Sequence, residues 1–109
     1  MRKYDTHAYL NALTLYKPTE TTMVNPIIYK LLQLGKKNED ALSSLRRITT
    51  GGVRLPSRVR DQFQQLLHPD ATLRQVYGMT EVSWAISLLY PEFDDTGAAG
   101  RLLPNVEAR

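Results

Sequence analysis

Apolar residues recur along this chain at two spacings, and the switches between them mark out its elements. Tyr9, Leu13 and Tyr16 share one face of a helix that Asp5 caps and Pro18 stops. A carboxylate at the cap accepts from an otherwise orphaned backbone N–H, and proline cannot continue the ladder. This helix is expected at the periphery. Thr19 to Val24 is short and β-branched, the pattern of a strand, and Asn25-Pro26 then supplies an N-cap and a first helical residue. Ile27, Ile28, Leu31 and Leu32 form the apolar face of that second helix, with Gly35 as its terminator. Residues 35–40 are polar and without period. They read as a surface loop within one domain, because apolar positions resume at Leu42 and Leu45.

The same order then repeats. Arg46 to Thr50 is a strand ending in Gly51-Gly52, and Leu55, Val59, Phe63 and Leu66 recur at helical spacing after Pro56, with Ser57 as the expected cap. His68-Pro69-Asp70 breaks this helix, and Thr72 to Tyr77 is a third strand. Helices of this length between strands are the crossovers of parallel strands, so the fold class is α/β with a partial, mainly parallel sheet. Trp84 to Tyr90 is apolar enough for a further strand, Pro91 to Thr96 is a turn-rich acidic loop, and Val106 opens another extended piece. There is no internal repeat and no low-complexity segment.

Composition narrows this picture by exclusion. With 109 residues the chain fits one small domain with a modest core, and 42% hydrophobic against 23% charged residues is ordinary globular composition. No apolar run is long enough for a membrane span and Met1-Arg2-Lys3-Tyr4-Asp5 lacks the apolar stretch of a signal peptide, so an intracellular setting is the default. Cysteine is absent, which removes disulfides, thiolate metal sites and cysteine nucleophiles. The net charge of +3 invites a nucleic-acid reading. That reading ranks last and no nucleic-acid partner is expected, because Lys36-Lys37 lies beside Glu39-Asp40, and Arg58 and Arg60 beside Asp61, with no basic stripe.

Chemistry concentrates in Gln75-Val76-Tyr77-Gly78-Met79-Thr80-Glu81, where a β-branched and aromatic run meets a glycine and two oxygen-bearing side chains follow. Gly78 permits a turn or a close approach that a Cβ would block. Thr80 and Glu81 fall just past the strand's carboxyl end, the rim where open α/β sheets bind ligands. A hydroxyl beside a carboxylate can hold a phosphate oxygen and a hard cation. Each of these residues also has a plain structural reading. Tyr77 serves equally as a core tyrosine, Thr80 as a cap or turn hydroxyl, Glu81 as a solvent-facing carboxylate and Gly51-Gly52 as a tight turn. His7 is a lone exposed histidine, and adjacent residues Asp94-Asp95 point apart, as in a solvated turn.

Tyr77-Gly78-Met79-Thr80-Glu81 resembles the signature of the adenylate-forming enzymes: acyl- and aryl-CoA synthetases, luciferases and peptide-synthetase adenylation domains. Leu45-Arg46-Arg47-Ile48-Thr49-Thr50-Gly51-Gly52 is similar to the strand and glycine pair upstream of that signature. Gly97-Ala98-Ala99-Gly100-Arg101-Leu102-Leu103-Pro104 is similar to the segment downstream. Within the family the chain looks most like the 4-coumarate:CoA ligase group, since peptide-synthetase domains typically carry proline where Met79 stands.

The resemblance implies that residues 1–109 are a middle slice of the large N-terminal, AMP-binding domain. It implies that Gly51, Gly52 and Val53 border the adenine and acyl pockets, that Tyr77 stacks on adenine and that Gly78 lies beside it. Thr80 would take the AMP phosphate, Glu81 would take magnesium, and Met79 and Gly100 would shape the acyl pocket. The implied reaction joins a carboxylic acid to ATP as an acyl-adenylate and passes the acyl group to CoA, in the cytoplasm or a peroxisome. Val53-Arg54 departs from the family's common Ala-Pro, so the acyl preference does not carry over. The phosphate loop with its lysine, the ribose-binding aspartate and the C-terminal catalytic lysine have no counterpart in these residues. A longer gene product or a complementing chain would have to supply them, and the chain alone is expected to be inactive. The alternative is a non-enzymatic interaction module that keeps this slice of the fold.

Overall fold

A computed structural model describes residues 3–35, 39–88 and 98–107. The expectations for the loop at Lys36-Lys37, the strand end at Tyr90, the acidic turn with Asp94-Asp95 and the first glycine of Gly97-Ala98-Ala99-Gly100 fall outside the described residues. The Asp5 carboxylate accepts from the Ala8 N–H at 2.7 Å and starts helix α1, Thr6–Tyr16. Lys17 closes it in a left-handed conformation, φ 46°, by donating its N–H to the Leu13 carbonyl. The buried stripe differs from the expected one. Leu10 and Leu13 are buried and Tyr9 is partly so, whereas Tyr16 is 77% exposed. Leu10 and Leu13 face inward because α1 packs on the short helix α3, Glu39–Leu42, which leaves Tyr16 beyond the contact.

Strand β1, Glu20–Val24, passes directly into helix α2, Asn25–Leu34. Val24, not Asn25, occupies the cap position, and no side chain caps the helix. Proline in the first turn already lacks one orphan donor, and the Asn25 side chain is drawn into the interior instead. Helix α4, Ser57–Gln64, likewise starts one residue earlier than expected. Pro56 holds φ −57° and ψ 139° at the cap, so Ser57 is already helical and makes no capping bond.

The sheet runs in the order β1-β2-β3-β4-β5, with β2 at Arg47–Gly51, β3 at Thr72–Met79, β4 at Trp84–Leu88 and β5 at Arg101–Leu102. The expected α/β class holds: β1, β2 and β3 are parallel and joined through helices. The pairs β3–β4 and β4–β5 are antiparallel, so the sheet is mixed. Val106 and Glu107, the described part of the extended piece expected there, lie outside the sheet. Leu103 to Val106 is a turn closed by the Val106 N–H on the Leu103 carbonyl at 3.2 Å, with Pro104 second and Asn105 third at φ 65°. Proline followed by a left-handed asparagine is the chemistry of a type II turn.

One apolar cluster lies between the parallel strands and their helices. Met23, Ile28, Leu31, Leu42, Leu45, Ile48 and Phe63 are all fully buried in it. The other face of the same strands carries Glu20, Arg47 and Arg74 with Trp84 and Leu88 around an open concavity. Glu20 and Arg47, opposite each other in the register, form an ion pair there. Phe63 reaches the cluster from α4 and is the largest fully buried side chain among the described residues. Phe63→Ala is expected to lower the unfolding free energy by about 3–5 kcal/mol, much of the stability of a small domain. Urea unfolding followed by far-UV circular dichroism measures it. A loss below about 1 kcal/mol would mean that the site is not close-packed.

Candidate functional site

Parallel pairing with Thr50 opposite Gln75 brings the carboxyl ends of β2 and β3 out side by side. Glycine stands near each end for a different reason. A Cβ on Gly51 would come within 2.7 Å of Val76 Cγ1, and Gly52 has φ 91°, which side chains rarely adopt. A Cβ on Gly78 would overlap the Trp84 carbonyl oxygen and come within 2.8 Å of Ala85 Cα. Gly78 therefore does not end its strand. β3 runs on to Met79, and the register with β4 shifts between Tyr77 and Gly78. The expected stop at Tyr77 is replaced by continued pairing with β4, where Ile86 is the extra residue at the register shift; the sequence announces that strand but not its antiparallel pairing with β3.

Gly52, Val53, Arg54, Gln75, Val76, Tyr77, Gly78 and Ala99 line one cleft of about 140 Å³. Ligand pockets span roughly 300–1,000 Å³, so this cleft can enclose a flat ring and not a whole nucleotide. Tyr77 is 52% exposed and also faces a second cavity, of about 380 Å³, with Val82, Ala85, Ile86, Asn105, Val106 and Glu107. Gly51 lines a third concavity, with Thr22, Val24 and Trp84. Thr80 and Glu81 stand exposed in the single 3₁₀ turn Thr80–Val82 that follows β3 directly. Met79 is exposed, and Gly100, at φ 90°, follows Ala99. Met79, Thr80, Glu81 and Gly100 line none of these three cavities. Among the expected site residues, then, Gly52, Val53, Tyr77 and Gly78 converge on one cleft, and Gly51, Met79, Thr80, Glu81 and Gly100 do not line it.

Side chains to which the sequence reading gave no place at the cleft hold it. Asn25 Nδ2 donates to the Val53 carbonyl at 3.0 Å, and its Oδ1 accepts from the Thr50 hydroxyl at 3.0 Å. Gln75 Oε1 accepts the Leu55 N–H at 3.1 Å, and Ser87 donates to the Ala99 carbonyl at 3.0 Å. Gln75 had a legible signal, since it alternates with the apolar Leu73 and so points inward. Asn25 had none, because Asn-Pro before an apolar run is what a cap looks like and its partner lies 28 residues on.

Among the described residues, no group of three or more His, Asp or Glu could hold a metal, so Glu81 offers a single carboxylate. No helix among the described residues is long and apolar enough to cross a membrane.

Parallel strands with helical crossovers, and a cleft walled partly by glycine near their carboxyl ends, define an α/β protein. The chain belongs to the AMP-binding enzyme family, which it matches over residues 1–109. It is 40% identical over 112 residues to a phenylacetyl-CoA ligase of Aspergillus niger, covering 100% of this chain and 21% of that relative. Among solved structures, the luciferase-like enzyme from the nonluminescent Zophobas morio mealworm matches with a TM-score of 0.75 at 26% identity, over 93% of this chain and 25% of that one. The O-succinylbenzoate coenzyme A synthetase of Bacillus subtilis, solved with ATP and magnesium ion, matches in fold with a TM-score of 0.72 at 24% identity, over 93% and 20%. The chain thus spans about a fifth of the length of the curated relative it matches.

The contact of Gly78 with β4 makes the site sensitive to a single methyl group. Gly78→Ala is expected to break the β3–β4 pairing while β1 and β2 persist, seen as loss of amide protection from Tyr77 to Leu88 in hydrogen exchange. Unchanged protection there would show that the two strands can separate enough to admit a Cβ.

Proposed function

We propose that residues 1–109 are part of the AMP-binding domain of an acyl- or aryl-CoA ligase, and that they supply its adenine-binding edge and its phosphate- and metal-facing side chains. The observation that carries this reading is the convergence of Gly52 and Val53 with Tyr77 and Gly78 in one cleft, with Thr80 and Glu81 directly after it. In the parent reaction a carboxylate oxygen attacks the α-phosphorus of ATP and pyrophosphate leaves. The CoA thiolate then attacks the acyl carbonyl and AMP leaves. The first step joins two anions, so charge on the phosphate oxygens has to be offset; a bound magnesium ion supplies that neutralisation.

This chain's own residues bind and orient. The Tyr77 ring is the stacking face for adenine, and Gly52 lets the backbone approach the base from the opposite wall. The Thr80 hydroxyl donates to a phosphate oxygen, and Glu81 presents the carboxylate for the metal. Gly51 keeps the β2 end flush with β3, while Met79 and Gly100 border the acyl group. ATP and CoA are both at hand in the cytoplasm and in peroxisomes, which are the compartments that suit this chemistry.

The test is an NMR titration of the chain with AMP, with and without magnesium. A cleft that holds one ring is expected to bind at about millimolar, on the order of 4 kcal/mol. Tyr77→Ala should weaken AMP at least about fivefold with or without metal, as expected for a lost base–aromatic stack. Glu81→Gln should abolish the gain from magnesium and leave metal-free binding as it was. Shifts centred on Arg58 and Arg60, with Gly78 to Glu81 unmoved, would assign the binding to surface charge and overturn the reading.

A further inference from the structure

The loop from Gly52 to Leu55, which forms one wall of the cleft, is held to the interior by two amide side chains. Asn25 grips it from the first turn of α2: its Nδ2 lies 3.0 Å from the Val53 carbonyl and 3.5 Å from that of Arg54. Gln75 grips it from β3, with Oε1 3.1 Å from the Leu55 nitrogen. Both side chains are buried, at 8% and 9% exposure. Two carbonyls can only accept, so the amide nitrogen of Asn25 has to face them, and its oxygen then takes the hydroxyl proton of the fully buried Thr50. The amide has one productive orientation. With its carbonyl pulled inward, Val53 leaves its side chain 73% exposed at the cleft.

An apolar residue would fill either position without needing partners, whereas a buried amide is tolerated only when its groups are bonded. Bonding both to consecutive residues of one loop defines where that loop sits. We propose that Asn25 and Gln75 are positioning residues: together they clamp the Gly52–Leu55 loop and set the distance between the Gly52–Val53 wall and the Tyr77–Gly78 wall, hence the fit of a flat ring. The ligand's identity rests on the nucleotide reading; the clamp is a property of the loop.

Amide hydrogen exchange and AMP titration on the 109-residue chain test both halves. In the unsubstituted chain the Leu55 N–H is expected to be protected, although it lies outside every strand and helix. Asn25→Asp keeps the acceptor for Thr50 and turns an oxygen toward two carbonyls, while Gln75→Met removes the acceptor at similar length. Each should speed Leu55 exchange by about tenfold or more, the effect of one lost buried hydrogen bond, with Thr49 and Arg74 little changed. Each should also weaken AMP severalfold. Gln75→Glu, which retains an acceptor, should keep Leu55 protected and bind AMP more tightly than Gln75→Met does. If Asn25→Asp fails to fold, the Gln75 pair carries the same comparison. An unprotected Leu55 in the unsubstituted chain, or exchange that neither variant alters, overturns the clamp. A loosened loop with unchanged AMP affinity overturns the positioning role. Absence of AMP binding to the unsubstituted chain would refute the nucleotide reading, while Leu55 exchange would still decide the clamp.

Discussion

Parallel registration of β2 with β3, Thr50 opposite Gln75, is the constraint on which the rest depends. Parallel strands need a crossover, and α4 provides it by burying Phe63 in the cluster that also holds Ile48. The register brings both carboxyl ends to one rim, so two separate glycine segments become the walls of one cleft. A slip of one residue would turn every β3 side chain to the opposite face. Leu73 would leave the core, and Val76 would lose the space that Gly51 leaves for it.

β3 changes character along its length because its neighbours change. Its first half, with Leu73 and Gln75 buried, pairs with β2 and faces the helices. Its second half pairs antiparallel with β4, and there Tyr77 and Met79 are exposed. The register shift at Gly78 marks the boundary between them. By carrying the strand to Met79, it sets Thr80 and Glu81 in a tight turn at the rim, where a hydroxyl and a carboxylate stay hydrated and available.

Polar groups inside the protein gather near that rim. Further from the cleft, Ile48 and Leu73 belong to the apolar cluster; nearer the cleft, Asn25, Thr50 and Gln75 are buried with hydrogen bonds. Each such bond contributes only about 0.5–1.5 kcal/mol net, less than an apolar side chain of the same size gives by burial. Their return lies in geometry: they tie α2, β2 and β3 to a loop that apolar contacts would leave free to slide.

Local pattern determined most of the architecture. Alternation and helical spacing announced β1, α2, β2, α4 and β3, because each element buries a face whose period is written in consecutive residues. The signature around Tyr77 announced the family for a similar reason, since its residues adjoin in sequence. What tertiary structure alone decided were the long-range partners. Tyr16 lost its expected place because α1 packs against α3 and it is Leu10 and Leu13 that enter the buried cluster. Asn25 became a loop anchor rather than a cap because Val53 and Thr50 come to it from β2 and the loop beyond. β3 outran its glycine because Trp84 and Ala85 return to pair with it. A hydrogen bond between residues 28 positions apart leaves no period in the sequence. Only the folded sheet, with two strand ends held in register, decides which polar side chains meet at the rim.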